Sequence, residues 1–219
     1  ARQMDKGAIA AALDHVREFT WDTLADLAPG QWQVPYHNGI NPPLWEYGHI
    51  AWFYEWWILR GANNESGSET TAIFSSRLDN ADALFDSNKV AHSTRWDLNL
   101  PDLQSIHDFR RDIKEEMLQK LSAAQRTDAG LYFFRLCLFH ELMHAEALTY
   151  MRQTLNMNGR PNWRTHIATK TGATVLNGGK FCLGLPSNNG FAFDNEIRSH
   201  EIEVAPFEID LTPITNKQY

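Results

Sequence analysis

The sequence predicts an α+β chain, a four-helix bundle followed by the first strands of a second, β-rich domain. Three observations lead there. Four long stretches place apolar residues three and four apart, the spacing that lays one face of a helix on a core. After Leu155 the composition turns polar, with Gly159, Pro161 and two arginines before Thr171. From Ala173 onward, short runs of β-branched and aromatic residues alternate with turn residues. The expected boundaries are a bundle over residues 1–155, a linker over 156–172 and the beginning of the β-rich domain over 173–219.

The first helix is expected over about 4–28, with Ile9, Leu13, Val16, Phe19/Thr20, Leu24 and Leu27 inward and Pro29-Gly30 as its stop. A polar connector runs to Asn41. The second helix opens at Asn41-Pro42-Pro43, with Asn41 as N-cap and proline in the first turn. It carries Trp45, His49, Trp52, Phe53 and Trp56 on one stripe to about Arg60, and Gly61 ends it. Residues 61–76 read as a polar loop, 76–85 as a short helix and 86–100 as irregular. Pro101 starts a helix to about 123, with Leu103, Ile106, Phe109, Ile113, Met117 and Leu121 inward. Asp128 caps the last helix, about 129–155, whose stripe is Phe133, Leu136/Cys137, His140, Met143/His144, Ala147 and Met151. Strands are expected around Val175-Leu176, Lys180–Leu183, Glu201–Val204 and Phe207–Ile209. About 45 residues are too few to bury a core of their own.

Composition narrows the function. A net charge of −7 argues against a broad nucleic-acid surface. Cys137 and Cys182 have no CxxC partner, so neither a disulfide framework nor a thiolate zinc site is indicated, and a reducing, cytoplasmic compartment is expected. No apolar run approaches the roughly 20 residues that span a bilayer, so no membrane partner is expected. The opening Ala1–Lys6 has no apolar signal core. The chain starts without an initiator methionine and ends within a structured segment, which predicts a longer parent protein.

The chemistry lies in His140 and His144, four apart on one helix face, and His49 on the inward stripe of another helix. Burying three imidazoles costs desolvation for each, and one divalent ion satisfies all three. Three histidines leave coordination positions open, as a working metal needs. Zn2+ there would activate water; Fe2+ would activate O2. The residues also spell HExxH, with Glu141 as general base and His166 or His200 as third ligand. The upstream His49 favours a site inside the bundle. Glu46, Glu55 and Glu146 could orient the imidazoles, although a solvated face suits each. His15, His37, His92 and His107 read as surface or supporting residues.

The stretch Pro43–Glu55 resembles the first metal-ligand motif of the nonheme-iron sulfoxide synthases of ergothioneine biosynthesis, and His140–Glu146 resembles their second. Those enzymes join a DinB-like four-helix domain to a formylglycine-generating-enzyme-like (sulfatase-modifying-factor) domain with a C-type-lectin-related fold. Gly178–Gly184, Phe191–Glu196, His200–Asp210 and Pro213–Tyr219 resemble the opening of that second domain. The resemblance implies Fe2+ on His49, His140 and His144. It implies an O2-consuming reaction that joins a sulfur or selenium donor to C2 of the hercynine imidazole. Its catalytic residues are expected beyond Tyr219. Met143 stands where ergothioneine-type enzymes commonly have a substrate-contacting Gln, and Arg95 stands alone where they have closely spaced arginines that grip γ-glutamylcysteine. Both are substrate-binding candidates. The pattern is closer to the selenoneine synthase branch, whose donor is a selenosugar, because a neutral sugar needs no paired arginines. The alternatives are an ergothioneine-type hercynine sulfoxide synthase using γ-glutamylcysteine or cysteine, a DinB-like zinc-dependent thiol transferase or hydrolase, and a non-catalytic module.

Overall fold

Asp5 opens the first helix: its carboxylate accepts from the Ala8 N–H, and α1 runs Lys6–Leu24. In a computed structural model that describes residues 2–61, 73–157, 172–186, 190–215 and 218–219, α1 stops short of the expected residue 28. The cause is tertiary. Arg152 donates to the Thr23 carbonyl at 2.7 Å, replacing a helical partner, and grips Asp26 with both terminal nitrogens.

The second helix, α2, covers Pro43–Tyr54 and continues through a wider π turn, Glu55–Leu59, closed by Arg60 N–H on the Glu55 carbonyl. Its N-cap is Pro42, not Asn41, because the Asn41 side chain bonds to Glu46 and Arg95 instead. Gly61 follows at φ +71°, which a glycine adopts freely and which ends the helix. The short α3 covers only Ala81–Phe85. Its expected start is pulled straight by Glu55, which accepts from the Ser76 hydroxyl and the Arg77 N–H. The expected loop over 61–76 and linker over 156–172 lie largely outside the described residues.

Helix α4, Leu103–Ala123, is capped by Asp102, which accepts from Ser105 N–H. Helix α5, Asp128–Thr154, is capped by the Thr127 hydroxyl on Gly130 N–H rather than by Asp128, which pairs with Arg135 at 2.7 Å.

By contacts the chain divides into two units, residues 1–161 and 162–219. In the first, α1 and α2 each pack on both α4 and α5. Two apolar clusters fill the bundle. One joins Ile9, Leu13, Ile50, Ile113, Met117 and Leu138; the other joins Leu24, Trp45, Trp52, Phe85, Ile106 and Leu148. On α1, Arg17 falls between them, and on α5, His140, Glu141 and His144 do. The buried arc of α5 runs through Phe134, Leu138, Glu141, Ala145 and Leu148. The expected stripe is therefore rotated: the histidines sit on the arc's flank, and Met143 is half-exposed.

In the second unit, β1, Ala173–Leu176, pairs antiparallel with β4, Phe207–Asp210, and β2, Gly179–Leu183, pairs with β3, His200–Val204. A Cβ on Gly178 would lie 2.2 Å from the Val204 carbonyl, and its φ is +71°, so only glycine fits this turn. Two-stranded pairs are marginal alone, and Val175, Phe181 and Ile209 stay exposed. Among the described residues, no helix is long and apolar enough to cross a membrane.

Candidate metal centre

Helices α2 and α5 bring three imidazoles together. His49 Nε2 lies 3.2 Å from His140 Nε2, and His144 Nε2 lies 3.2 Å from the same atom. Among the described residues these three form the one group of His, Cys, Asp or Glu that could hold a metal ion, with ligand atoms all within 4.8 Å. His49 is buried, His140 is 9% exposed and His144 is partly buried.

The backbone fixes one tautomer. His49 Nδ1 is 2.7 Å from the Phe85 carbonyl, which can only accept, so Nδ1 carries the proton and Nε2 presents its lone pair to the cluster. Phe85 comes that close because residue 48 is glycine: a Cβ there would sit 2.4 Å from the Phe85 ring. Trp45 stacks on His49 with centroids 4.7 Å apart and planes 9° apart, and Phe53 stacks on His140. These rings keep water from the imidazoles' flanks.

Two of the rings are held uncharged. Burial pushes the His49 imidazole down to about 3, and the neighbouring His144 adds to the effect. Burial, then the same neighbours, push His140 well below its usual 6.5. Neutral imidazoles are the form that binds metal.

The donor set fits an ion. His140 Nε2 has two nitrogen neighbours at hydrogen-bond distance but can share only one proton with them. Metal–nitrogen bonds of about 2.1 Å put nitrogens about 3.0 Å apart at a right angle and about 3.4 Å apart at a tetrahedral angle. The observed 3.2 Å lies between those values.

Glu46 stands behind His144, with Oε1 3.6 Å from Nδ1, and is 2% exposed rather than solvated. Glu55 is equally buried but serves the Ser76–Arg77 turn, and Glu146 is exposed. Glu141 points elsewhere. It is wholly buried, bonded to Arg110 at 2.7 Å and 3.9 Å from Arg17 Nε. A general base must reach metal-bound water; Glu141 is committed to guanidinium groups instead. His166 lies outside the described residues, and His200, at the start of β3, has an exposed ring near the Arg198 carbonyl.

Arg95, the sequence's candidate for gripping a donor, lies against Trp45 and bonds to Asn41. Met143, beside His144, is 50% exposed. His107 meets the Tyr47 hydroxyl and His92 donates to the Ile40 carbonyl, both outside the cluster. The supports that sequence reasoning missed are the Phe85 carbonyl, Gly48 and the Asn41 side chain that holds Glu46, itself already a candidate for orienting the imidazoles. A backbone carbonyl leaves no residue-type signal, and Gly48 next to His49 was the one visible hint.

The chain matches the family model of the DinB superfamily over residues 12–148, more than half its length and the stretch that carries all three histidines. It is similar to proteins named hercynine oxygenase. The one from Mycolicibacterium smegmatis is 25% identical over 193 residues, covering 84% of this chain and 42% of that protein. The one from Mycolicibacterium thermoresistibile is 26% identical over 206 residues, covering 90% and 44%. The one from Mycobacterium tuberculosis is 25% identical over 206 residues, covering 90% and 46%. The chain thus spans less than half the length of these curated relatives.

Proposed function

The chain belongs to the DinB superfamily, and from that premise we propose that His49, His140 and His144 hold Fe2+ in an oxidoreductase acting on hercynine. The reaction proposed is O2-dependent bond formation between C2 of the hercynine imidazole and a selenosugar or thiol donor. The observation that carries this reading is the convergence of three imidazoles on one point. The relatives' name supplies the substrate and the oxygen chemistry. Zn2+ has no redox chemistry, so an oxygenase with this donor set calls for iron.

When bound, Fe2+ would supply the activation of O2. The chain's own residues do the positioning. The Phe85 carbonyl and the Trp45 ring hold His49, Phe53 holds His140, and Glu46 stands at His144. Met143, half-exposed beside His144, is proposed to contact substrate. A selenosugar donor is favoured over γ-glutamylcysteine because Arg95 spends its guanidinium inside the protein and, among the described residues, no paired arginine grip is in view. The β strands after residue 172 are proposed to open a formylglycine-generating-enzyme-like domain. Free Cys137 and Cys182 suit a cytoplasmic location.

The test is anaerobic reconstitution of the full-length protein with Fe2+ and hercynine, with selenosugar and γ-glutamylcysteine offered separately, then O2. Mass measurement should show an O2-dependent coupled product, larger in yield with the selenosugar. His140→Ala should lower the rate at least ~100-fold through lost metal. No coupled product with either donor would sink the reading.

A further inference from the structure

Arg95 is tied to the metal centre by two routes. Its guanidinium carbon lies 3.8 Å from the centroid of the Trp45 ring, the ring that stacks on His49. Trp45 is fixed in turn by its indole N–H on the Leu84 carbonyl at 2.8 Å, and the next carbonyl in the chain, that of Phe85, takes the His49 proton. The second route is polar. Arg95 Nη1 donates to Asn41 Oδ1 at 2.6 Å, Asn41 Nδ2 donates to Glu46 Oε1 at 2.8 Å, and that oxygen stands 3.6 Å from His144 Nδ1.

We infer that Arg95 is a positioning residue of the three-histidine centre: it seats Trp45 against His49 and, through Asn41 and Glu46, orients His144. The inference rests on the triad being a metal site. It goes beyond that reading by moving Arg95 from the substrate to the support of the ligands. Gripping a carboxylate takes a free guanidinium fork. Here the flat face lies on an indole, one nitrogen holds Asn41 and another faces the Val90 carbonyl at 3.5 Å. Glu46, meanwhile, is 2% exposed, and a carboxyl group so buried needs donated hydrogens. Asn41 delivers one, and Arg95 holds Asn41 in place to do so. Held there, Glu46 Oε1 faces His144 Nδ1 at 3.6 Å and favours the ring orientation that turns Nε2 toward its partners.

Co2+ titration of the full-length, metal-stripped protein tests this, with visible absorption reporting affinity and ligand geometry. Arg95→Met should weaken Co2+ binding about 10- to 100-fold, the usual cost of losing such outer partners, and shift the absorption bands. In a Glu46→Gln background the same substitution should lose most of its effect on His144. Asn41→Ala should act in the same direction, and it carries the test if circular dichroism shows Arg95→Met to be misfolded. Wild-type protein that binds no Co2+ overturns the triad and this inference with it. Wild type that binds, with Arg95→Met and Asn41→Ala within about twofold of it and spectra unchanged, overturns this inference alone. So does Arg95→Met with intact metal binding and a raised KM for an anionic donor, the signature of substrate contact.

Discussion

On one face of α5, His140 and His144 present their imidazoles to His49. About 100° round the helix, Glu141 carries a buried charge beside Arg110 of α4 and Arg17 of α1. The two faces solve burial differently. Arg110 bonds both Glu141 and the Tyr47 carbonyl and lies over the Tyr47 ring; Arg17 bonds the Arg110 carbonyl and lies over the Tyr54 ring. That face fastens three helices. The histidine face brings nitrogens together instead: His140 Nε2 meets the Nε2 atoms of His49 and His144, each at 3.2 Å, where only one proton can be shared. Adjacent letters of one HExxH spelling thus divide into a fastener and a site.

The largest effect should come from breaking the fastener. Arg110→Met leaves Glu141 wholly buried, with Arg17 at 3.9 Å as its remaining cation. Removing one partner of a buried pair costs about 3–5 kcal/mol, readable by denaturant unfolding of the metal-free protein. Adding Glu141→Gln should recover part of that loss. Co2+ affinity of the folded protein should stay within about threefold, and a larger loss would mean that the two faces of α5 are not independent.

A substitution at Gly48 should move both readouts at once. Gly48→Ala drives a methyl into the Phe85 ring, and overpacking of this kind costs about 1–3 kcal/mol. Phe85 cannot retreat without carrying its carbonyl away from His49 Nδ1. Unfolding and Co2+ titration should therefore both shift, and Phe85→Leu added to Gly48→Ala should restore part of each. Lost stability with unchanged metal binding would show that the Phe85 carbonyl does not set the His49 ring.

Much of this was legible in sequence because it is local. Apolar stripes gave the four long helices, and an i, i+4 pair plus a histidine on another inward stripe gave the cluster. What was hidden depends on distant partners. The end of α1 is set by Arg152, some 130 residues away. Glu46 and Glu55 read as solvated because charge usually is; their burial follows from Asn41, Ser76 and Arg77. Glu141 looked like a catalytic base for want of any sign of Arg17 and Arg110. The rotation of the α5 stripe follows from the same pair, since a carboxylate matched by guanidinium groups can sit where an apolar residue was expected.

The finest division between the two faces is their pH window. His49 in the folded protein sits at about 3 and His140 well below 6.5, both mainly through burial. The unfolded chain takes up their protons below about pH 6.5; the folded chain does not. Metal-free stability is therefore fully present above about 6.5. It falls as pH drops from there, for His49 toward about 3, by at most about 1.4 kcal/mol per pH unit for each group. Burial alone would raise the Glu141 carboxyl, but Arg110 and Arg17 more than offset that and hold it below 4.5. Its contribution is present above 4.5 and lost only as pH falls through its lowered folded value. Between about pH 6.5 and 4.5 the histidine face alone of the two should set the slope. Unfolding free energies at pH 7, 6 and 5 should fall less steeply for His140→Phe than for wild type, while Glu141→Gln, though less stable throughout, keeps the wild-type slope. A slope changed by Glu141→Gln, or unmoved by His140→Phe, would put the buried charge and the metal centre on one titrating unit and end the division.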